Sequence, residues 1–381
     1  MTDVVELNSP PISLLGMNRR MLAEWLVSQG EKPFRAQQLM QWVHQRGVID
    51  YAQMTDLSKV LRAKLASLAP IRLPEIKVDQ IAQDDTRKWL LEVDGGNAIE
   101  MVFIPDKNRG TLCISSQVGC ALACTFCMTA QQGFNRNLTS DEIVGQVWLA
   151  QHLLRQAGWG EKPVTNVVFM GMGEPLLNVN QVFPAAELFM DDWGYGLSKN
   201  RVTISTSGVV PAIDMLSERL DVSLAVSLHA ANDALRDVLV PINQKYPLSE
   251  LMAACHRYIS AYPKRHVMFE YVMLKGVNDS TNHAKEVITL LQGLSAKVNL
   301  IPFNPFPGTS YQTTPWVQVL EFQNRLMASG LQTNVRRTRG DDIDAACGQL
   351  VGEVADRTKR TTGVRKTTVT FERHHSLRDK C

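Results

Sequence analysis

With 381 residues, 45% of them hydrophobic and 20% charged, the chain has the make-up of a globular protein with a well-filled core, long enough for one large α/β domain and a smaller one. A formal net charge of +2 excludes strong global steering, no apolar run reaches the length of a membrane span, and "MTDVVELNSPPISLLG" lacks a basic segment followed by an apolar one, so neither spanning nor export is expected. Seven cysteines, odd in number and unevenly spaced, do not make a disulfide framework and suit a reducing cytoplasm.

After a proline-containing leader, "NRRMLAEWLVSQG" and "KPFRAQQLMQWVHQRG" carry helical spacing. Leu22, Trp25 and Leu26 share one face; Leu39, Met40 and Val43 share another. "LSKVLRAKLASL" repeats the pattern through Leu57, Leu61, Leu65 and Leu68, and Pro70 and Pro74 end a small helical domain expected over residues 1–75. Eight basic residues against four acidic ones between Pro11 and Pro70 make this domain a candidate for phosphate contacts. Apolar residues alternate on both sides of Asp94-Gly95-Gly96-Asn97, which predicts a β-hairpin within an extension over 76–110.

From Thr111 the pattern becomes strand, then helix, several times over. Candidate strands are "TLCIS", "NVVFM", "RVTIST", "VSLAVSL", "VMFEYVML", "VNLIPF" and "TNVRR". Between the first two lies "LTSDEIVGQVWLAQHLLRQAG", where Thr139 and Glu142 form a capping box, Ile143, Val147 and Leu154 a buried stripe, and Gly158 a stop. Such alternation implies parallel strands with helical crossovers, doubly wound or rolled toward a barrel, over 111–350. Ligands then belong at the C-terminal ends of the strands. A tail over 351–381 is basic: from Asp356 onward eight Lys or Arg stand against three acids, with Arg357, Lys359 and Arg360 the first candidates for phosphate contact.

Directly after the first of these strands comes "GCALACTFC". Three thiols at Cys120, Cys124 and Cys127 are too close for useful mutual disulfides, so a metal centre is the economical reading. Structural zinc is normally closed by a fourth Cys or His, and none follows in the loop; a four-iron cluster on three cysteines leaves one iron open to a substrate. On the residues alone, a colourless zinc-dependent RNA-binding module is the rival. Of the other cysteines, Cys255 lies on an apolar helical face with Leu251, Met252 and Ile259, Cys381 has no context, and Cys113 and Cys347 alone would read as packing.

The C-x3-C-x2-C spacing after a first barrel strand, with Phe126 before the third cysteine, resembles the radical S-adenosylmethionine (SAM) superfamily. Within it, "SSQVGCALACTFCMTAQQGFNRNL", "MGMGEPLLN", "TISTSGVVPAI", "AVSLHAAND", "NLIPFNPFPG" and "RGDDIDAACGQL" resemble the RlmN/Cfr family of RNA adenosine methyltransferases. The resemblance runs from about the first helix to "DRTKRT". It implies a partial (βα)6-type radical SAM barrel and a 4Fe–4S cluster, one per chain, on Cys120, Cys124 and Cys127. It places SAM contacts at Gly173, Glu174, Ser205, Ser227, Leu228, His229 and Asn304.

Adenine C2 is a poor nucleophile, whereas a thiolate accepts a methyl group readily. The resemblance implies Cys347 as the methyl acceptor, Cys113 as the cysteine that releases the RNA adduct as a Cys113–Cys347 disulfide, and Glu100 as the C2 base, with Cys113 its rival; two SAM molecules are used per methylation. It further implies 23S ribosomal RNA near the peptidyl-transferase centre and the tRNA adenosine beside the anticodon as substrates. A cytoplasmic monomer served by a flavodoxin-type electron donor is expected. "TAQQGFNRNL" points to the C2 branch over the C8-methylating branch; another radical SAM enzyme is the remaining alternative.

Overall fold

A computed structural model of the chain describes residues 13–107 and 109–356; the leader, the tail beyond Asp356 and the charges expected there at Arg357, Lys359 and Arg360 lie outside the described residues. The strands are β1 (Glu75–Ile81), β2 (Arg87–Val93), β3 (Asn97–Asp106), β4 (Arg109–Cys113), β5 (Gln117–Gly119), β6 (Phe134–Asn137), β7 (Asn166–Phe169), β8 (Val202–Thr206), β9 (Ser223–Ser227), β10 (Val267–Met273), β11 (Ala296–Pro302) and β12 (Gln332–Val335).

Ten of them form one sheet in the order β1-β2-β3-β4-β7-β8-β9-β10-β11-β12. From β4 to β12 every pairing is parallel, and the seven strands are the seven expected from the sequence. Parallel strands need long crossovers, and here each crossover contains a helix. The first, Ser140–Gln156, has both halves of the predicted capping box, and Ile143, Val147 and Leu154 are fully buried. Later crossovers include Val179–Met190, Val210–Arg219, Leu248–Ala261, Thr281–Leu290 and Trp316–Ala328. Because both sheet faces are covered, the strand centres are apolar: Val167, Phe169, Ile204, Leu224, Val226, Phe269, Tyr271, Val298 and Leu300 are all buried. Cys255 packs there too, as expected.

The predicted hairpin is β2–β3, with Val93 opposite Asn97 across the Asp94–Gly96 turn. It does not stand apart from the parallel strands. β3 pairs antiparallel with β4, and β1, which the sequence reading does not predict as a strand, adds an outer strand. β5 and β6 form a separate two-stranded sheet around the cysteine loop.

The N-terminal helices Arg19–Ser28, Arg35–Met40 and Lys59–Leu68 bury Leu22, Leu26, Leu39, Met40, Leu61 and Leu65. Leu68, read as part of that stripe, is 43% exposed, because it is the last residue of its helix, beyond the packed turns. This unit is docked on the first crossover helix: Gly16 N donates to Asp141 Oδ1 (2.9 Å), Ser140 Oγ to Gly16 O (2.7 Å) and Trp148 Nε1 to Val43 O (2.8 Å).

Residues 340–356 cross back over the sheet as a strap. On one side they bind the segment from the last cysteine of the loop to Gln132: Met128 N donates to Gly348 O, Thr129 Oγ1 to Leu350 O and Gln132 Nε2 to Gly352 O. On the other they bind the antiparallel strands, through an Ala98–Glu353 bridge, Lys88 Nζ to Asp344 O, and Ala355 N to Asn97 Oδ1. Residues 351–356 are thus tied down.

Candidate active site

The C-terminal ends of the parallel strands open onto one cavity holding about 970 Å³ of empty space, its mouth included. Ten of the thirteen residues singled out from the sequence line it: Cys120, Cys124, Cys127, Gly173, Glu174, Ser205, Ser227, His229, Asn304 and Cys347. Leu228, Cys113 and Glu100 do not, and each has a different place.

Within the cysteine loop, Ala123 takes left-handed backbone geometry (φ 58°), a conformation that costs a non-glycine residue energy and clusters at functional sites. Cys120 and Cys124 are buried and Cys127 half-buried. Burial pushes the Cys124 thiol well above its ordinary range, with Cys120 and Cys127 the next causes, and all three line the cavity. Burial also raises Cys127. They do not converge on one point: among the described residues no three Cys, His, Asp or Glu side chains gather closely enough for a single metal ion. A multi-iron cluster asks for something else, three soft sulfur donors spread around a shared space, and this donor set provides it.

Past β7 the chain turns sharply. Gly173 has φ 98°, and a Cβ there would lie 2.5 Å from the Gln117 side chain, so only glycine lets the turn pass. It delivers Glu174, whose Oε1 accepts from Leu176 N (3.0 Å) and Oε2 from Ser207 N (2.8 Å). Burial pushes this carboxyl up to about 7, despite those hydrogen bonds. Ser207 was not singled out from the sequence; its position, two residues past Ser205 and on the same side of the strand end, is the signal that marks it.

At the end of β9, His229 is also left-handed (φ 59°). Its Nδ1 accepts from Val272 N (3.0 Å), which places the proton of the neutral ring on Nε2. The ring stands edge-on to Phe126 (centroids 4.5 Å apart), and burial lowers its pKa to about 3, so it stays uncharged. Leu228 is wholly buried and contributes backbone, its carbonyl accepting from Arg236 Nε. Asn304, beyond β11, accepts from Thr338 Oγ1 through its Oδ1 (3.2 Å).

Glu100 sits on β3 with its carboxylate engaged on both sides. Oε1 is 3.0 Å from Lys88 Nζ, and Oε2 accepts from Val351 N of the strap (2.8 Å). Burial raises its pKa, and Lys88 works against that rise. Cys113 is buried at the end of β4, where desolvation pushes its thiol up to about 12 and the nearby Cys347 adds to the rise.

Cys347 is exposed at the mouth, carried by the strap. Its sulfur accepts from Arg336 Nη1 (3.2 Å) just past β12. Arg336 Nη2 in turn lies 3.4 Å from Glu270 Oε1 on β10, which also accepts from Asn299 Nδ2 (2.9 Å). Sequence reading missed Arg336 and Glu270. The signal was a lone acid inside the apolar run "VMFEYVML", since a buried charge requires a partner.

An open parallel barrel with three cysteines looped over its strand ends defines a radical SAM enzyme, and the radical SAM superfamily model matches residues 114–288. Residues 12–71 match the ribosomal RNA large subunit methyltransferase N-terminal domain. The chain is 58% identical over 349 residues to the dual-specificity RNA methyltransferase RlmN of Alkalilimnicola ehrlichii, covering 92% of this chain and 96% of that one. It is 55% identical to the protein of the same name from Marinobacter nauticus, covering 92% and 95%. Among solved structures, a radical SAM methyltransferase from Sphaerobacter thermophilus superposes with a TM-score of 0.83 at 42% identity, covering 89% of this chain and 99% of that one. The chain belongs to the RlmN family of radical SAM methyltransferases. Its cofactors are a 4Fe–4S cluster and SAM.

Proposed function

We propose that this chain methylates C2 of adenosine in 23S ribosomal RNA at the peptidyl-transferase region and in tRNA beside the anticodon, with Cys347 carrying the methyl group to the base. The observation that supports this most directly is that Cys347, carried on the strap, lines the same cavity as Cys120, Cys124 and Cys127.

Cys120, Cys124 and Cys127 would hold the cluster, and Gly173, Glu174, Ser205, Ser227, Leu228, His229 and Asn304 the SAM. When bound, the pair supplies a methyl group for displacement and a 5′-deoxyadenosyl radical for hydrogen abstraction. The Cys347 sulfur takes the methyl, then presents the S-methyl carbon to the radical and to adenine C2. Glu100 removes the C2 proton once the Val351 amide releases its Oε2, and the radical adduct returns one electron to the enzyme's redox centre; Cys113 is the rival base. The Cys113 thiolate then attacks the Cys347 sulfur, the electron pair of the sulfur–carbon bond goes to the methylene carbon, which takes a proton to become the methyl group, and a Cys113–Cys347 disulfide remains for reduction.

The N-terminal unit supports RNA contact. Phe34 is 48% exposed with the Arg35 guanidinium 4.9 Å from its ring, and Arg46 lies 4.1 Å over Trp42. No described helix is long and apolar enough to cross a membrane. A cytoplasmic monomer reduced by a flavodoxin-type donor completes the reading.

The test is anaerobic turnover with SAM, reductant and either RNA, followed by nucleoside mass spectrometry. 2-Methyladenosine is expected from both substrates. 8-Methyladenosine would move the chain to the C8 branch, and no methylated adenosine would reject the assignment.

A second expected result concerns pH. Glu174 is proposed to meet the SAM ammonium group, which it does only as a carboxylate. Because burial holds its pKa near 7, the ionised fraction falls as pH drops below that value. SAM affinity should therefore weaken by up to about tenfold per pH unit below 7 and level off above it. Equilibrium binding between pH 5.5 and 8.5 checks this, and Glu174→Gln should bind weakly with a flat profile.

A further inference from the structure

We infer that Arg336 is a positioning residue for the methyl-accepting step: anchored by Glu270, its guanidinium fixes the Cys347 sulfur at the cavity mouth and offsets the negative charge of the attacking thiolate. The inference rests on the reading of Cys347 given above and deepens it.

Three observations carry it. Cys347 is on a strap, and its sulfur receives a directed contact from a cation, Arg336 Nη1, at 3.2 Å. That cation cannot swing freely, because its Nη2 is tied to Glu270 and also approaches Met170 Sδ (3.4 Å). Glu270 is itself fixed on β10 by Asn299, and its charge is the main reason the Arg336 pKa stands above the ordinary arginine range. A salt bridge made only for stability would not need a third partner in a loop. Here the fork of the guanidinium spans a rigid strand on one side and the strap sulfur on the other.

The chemistry follows from charge. In methyl transfer the Cys347 thiol loses its proton to solvent at the exposed mouth. The sulfur electron pair then forms the new S–C bond while the methyl–sulfonium bond breaks, its electrons leaving with S-adenosylhomocysteine. The thiolate's negative charge and the sulfonium's positive charge disappear together. Arg336 therefore stabilises the nucleophile before the step and has only a weak thioether acceptor afterwards, so the S-methylated residue is released from it to face the RNA base.

The test has an arm that needs no turnover. Cluster-loaded enzyme without SAM or RNA is treated with iodoacetamide, a displacement at carbon like the natural one, and Cys347 alkylation is timed by peptide mass spectrometry. A second arm times Cys347 methylation as SAM is varied. Arg336→Gln should slow both reactions by about tenfold or more, the size expected for loss of one charge-assisted hydrogen bond, and leave the half-saturating SAM concentration where it was. Arg336→Lys keeps the charge and should recover most of the rate in both arms. Iron and sulfide content reports folding; if the Gln variant loses its cluster, the Lys variant and Glu270→Gln, which frees the anchor and should also slow both arms, carry the test. Parent-like alkylation in Arg336→Gln, or an Arg336→Lys variant as slow as Gln, overturns the inference. A parent enzyme whose Cys347 never accepts methyl from SAM overturns the reading of Cys347 instead, while the alkylation arm still judges Arg336.

Discussion

Alanine at Cys120, Cys124 or Cys127 should give a folded, colourless protein that no longer cleaves SAM. The three side chains differ in setting, yet the expected outcome is the same because a cluster held by three thiolates cannot lose a third of its ligands and stay reducible. Folding should survive. Cys124 packs on an edge of a small apolar cluster with Ala130 and Phe303, so truncation there leaves a void of one sulfur atom, worth roughly 1–2 kcal/mol. Cys255→Ala is the matching control. It removes a buried sulfur from the main core, should cost a similar amount in a denaturant melt, and should keep iron, sulfide and colour. Iron retained in the triple alanine variant would reject the ligand set.

Cys347→Ala and Cys113→Ala should fail in opposite ways. Without Cys347 there is no acceptor, so no methyl from SAM appears on the protein and no RNA is captured. Without Cys113 the acceptor is intact: Cys347 takes its methyl and reacts once with RNA, and the product stays attached, visible as a band carrying both protein and RNA on a denaturing gel. One thiol is fixed at the end of β4, and the other rides on the strap at the cavity mouth. A disulfide further requires Cα atoms within about 7 Å, a distance the strap must reach during the cycle. Normal turnover by Cys113→Ala, or methylated adenine from Cys347→Ala, would exclude the two-cysteine route while leaving the cluster assignment intact.

The scaffold was largely legible in the sequence because buried parallel strands advertise themselves. Runs such as "NVVFM" and "VSLAVSL" are apolar on both faces, and the helix after the cysteine loop announces its start through Thr139 and Glu142. β1 was not legible for the converse reason: its residues alternate between exposed and half-exposed, so no hydrophobic period marks it. At the site, residues whose role depends on a glycine turn or a strand end stood out locally. Arg336 and Glu270 did not, since their partnership joins positions 66 residues apart and exists only after β10, β11 and β12 are side by side. Glu100 shows the limit from the other side. Resemblance singled it out, but its carboxylate is committed to Lys88 and to Val351, and neither partner can be read from the residues around it.

The strap also sets an order of events during synthesis. Its bonds to Thr129, Gln132 and Asn135 join residues about 220 positions apart, and none can form until the ribosome has made Leu350, Gly352 and Ala355. At roughly 5–20 residues per second, the cysteine loop waits on the order of ten seconds or more, its neighbouring strands already emerging, before anything closes over it. Iron and sulfide delivered in that interval would meet three thiols still open to solvent. Delivery afterwards would have to pass through the cavity mouth, where that segment carries Cys347.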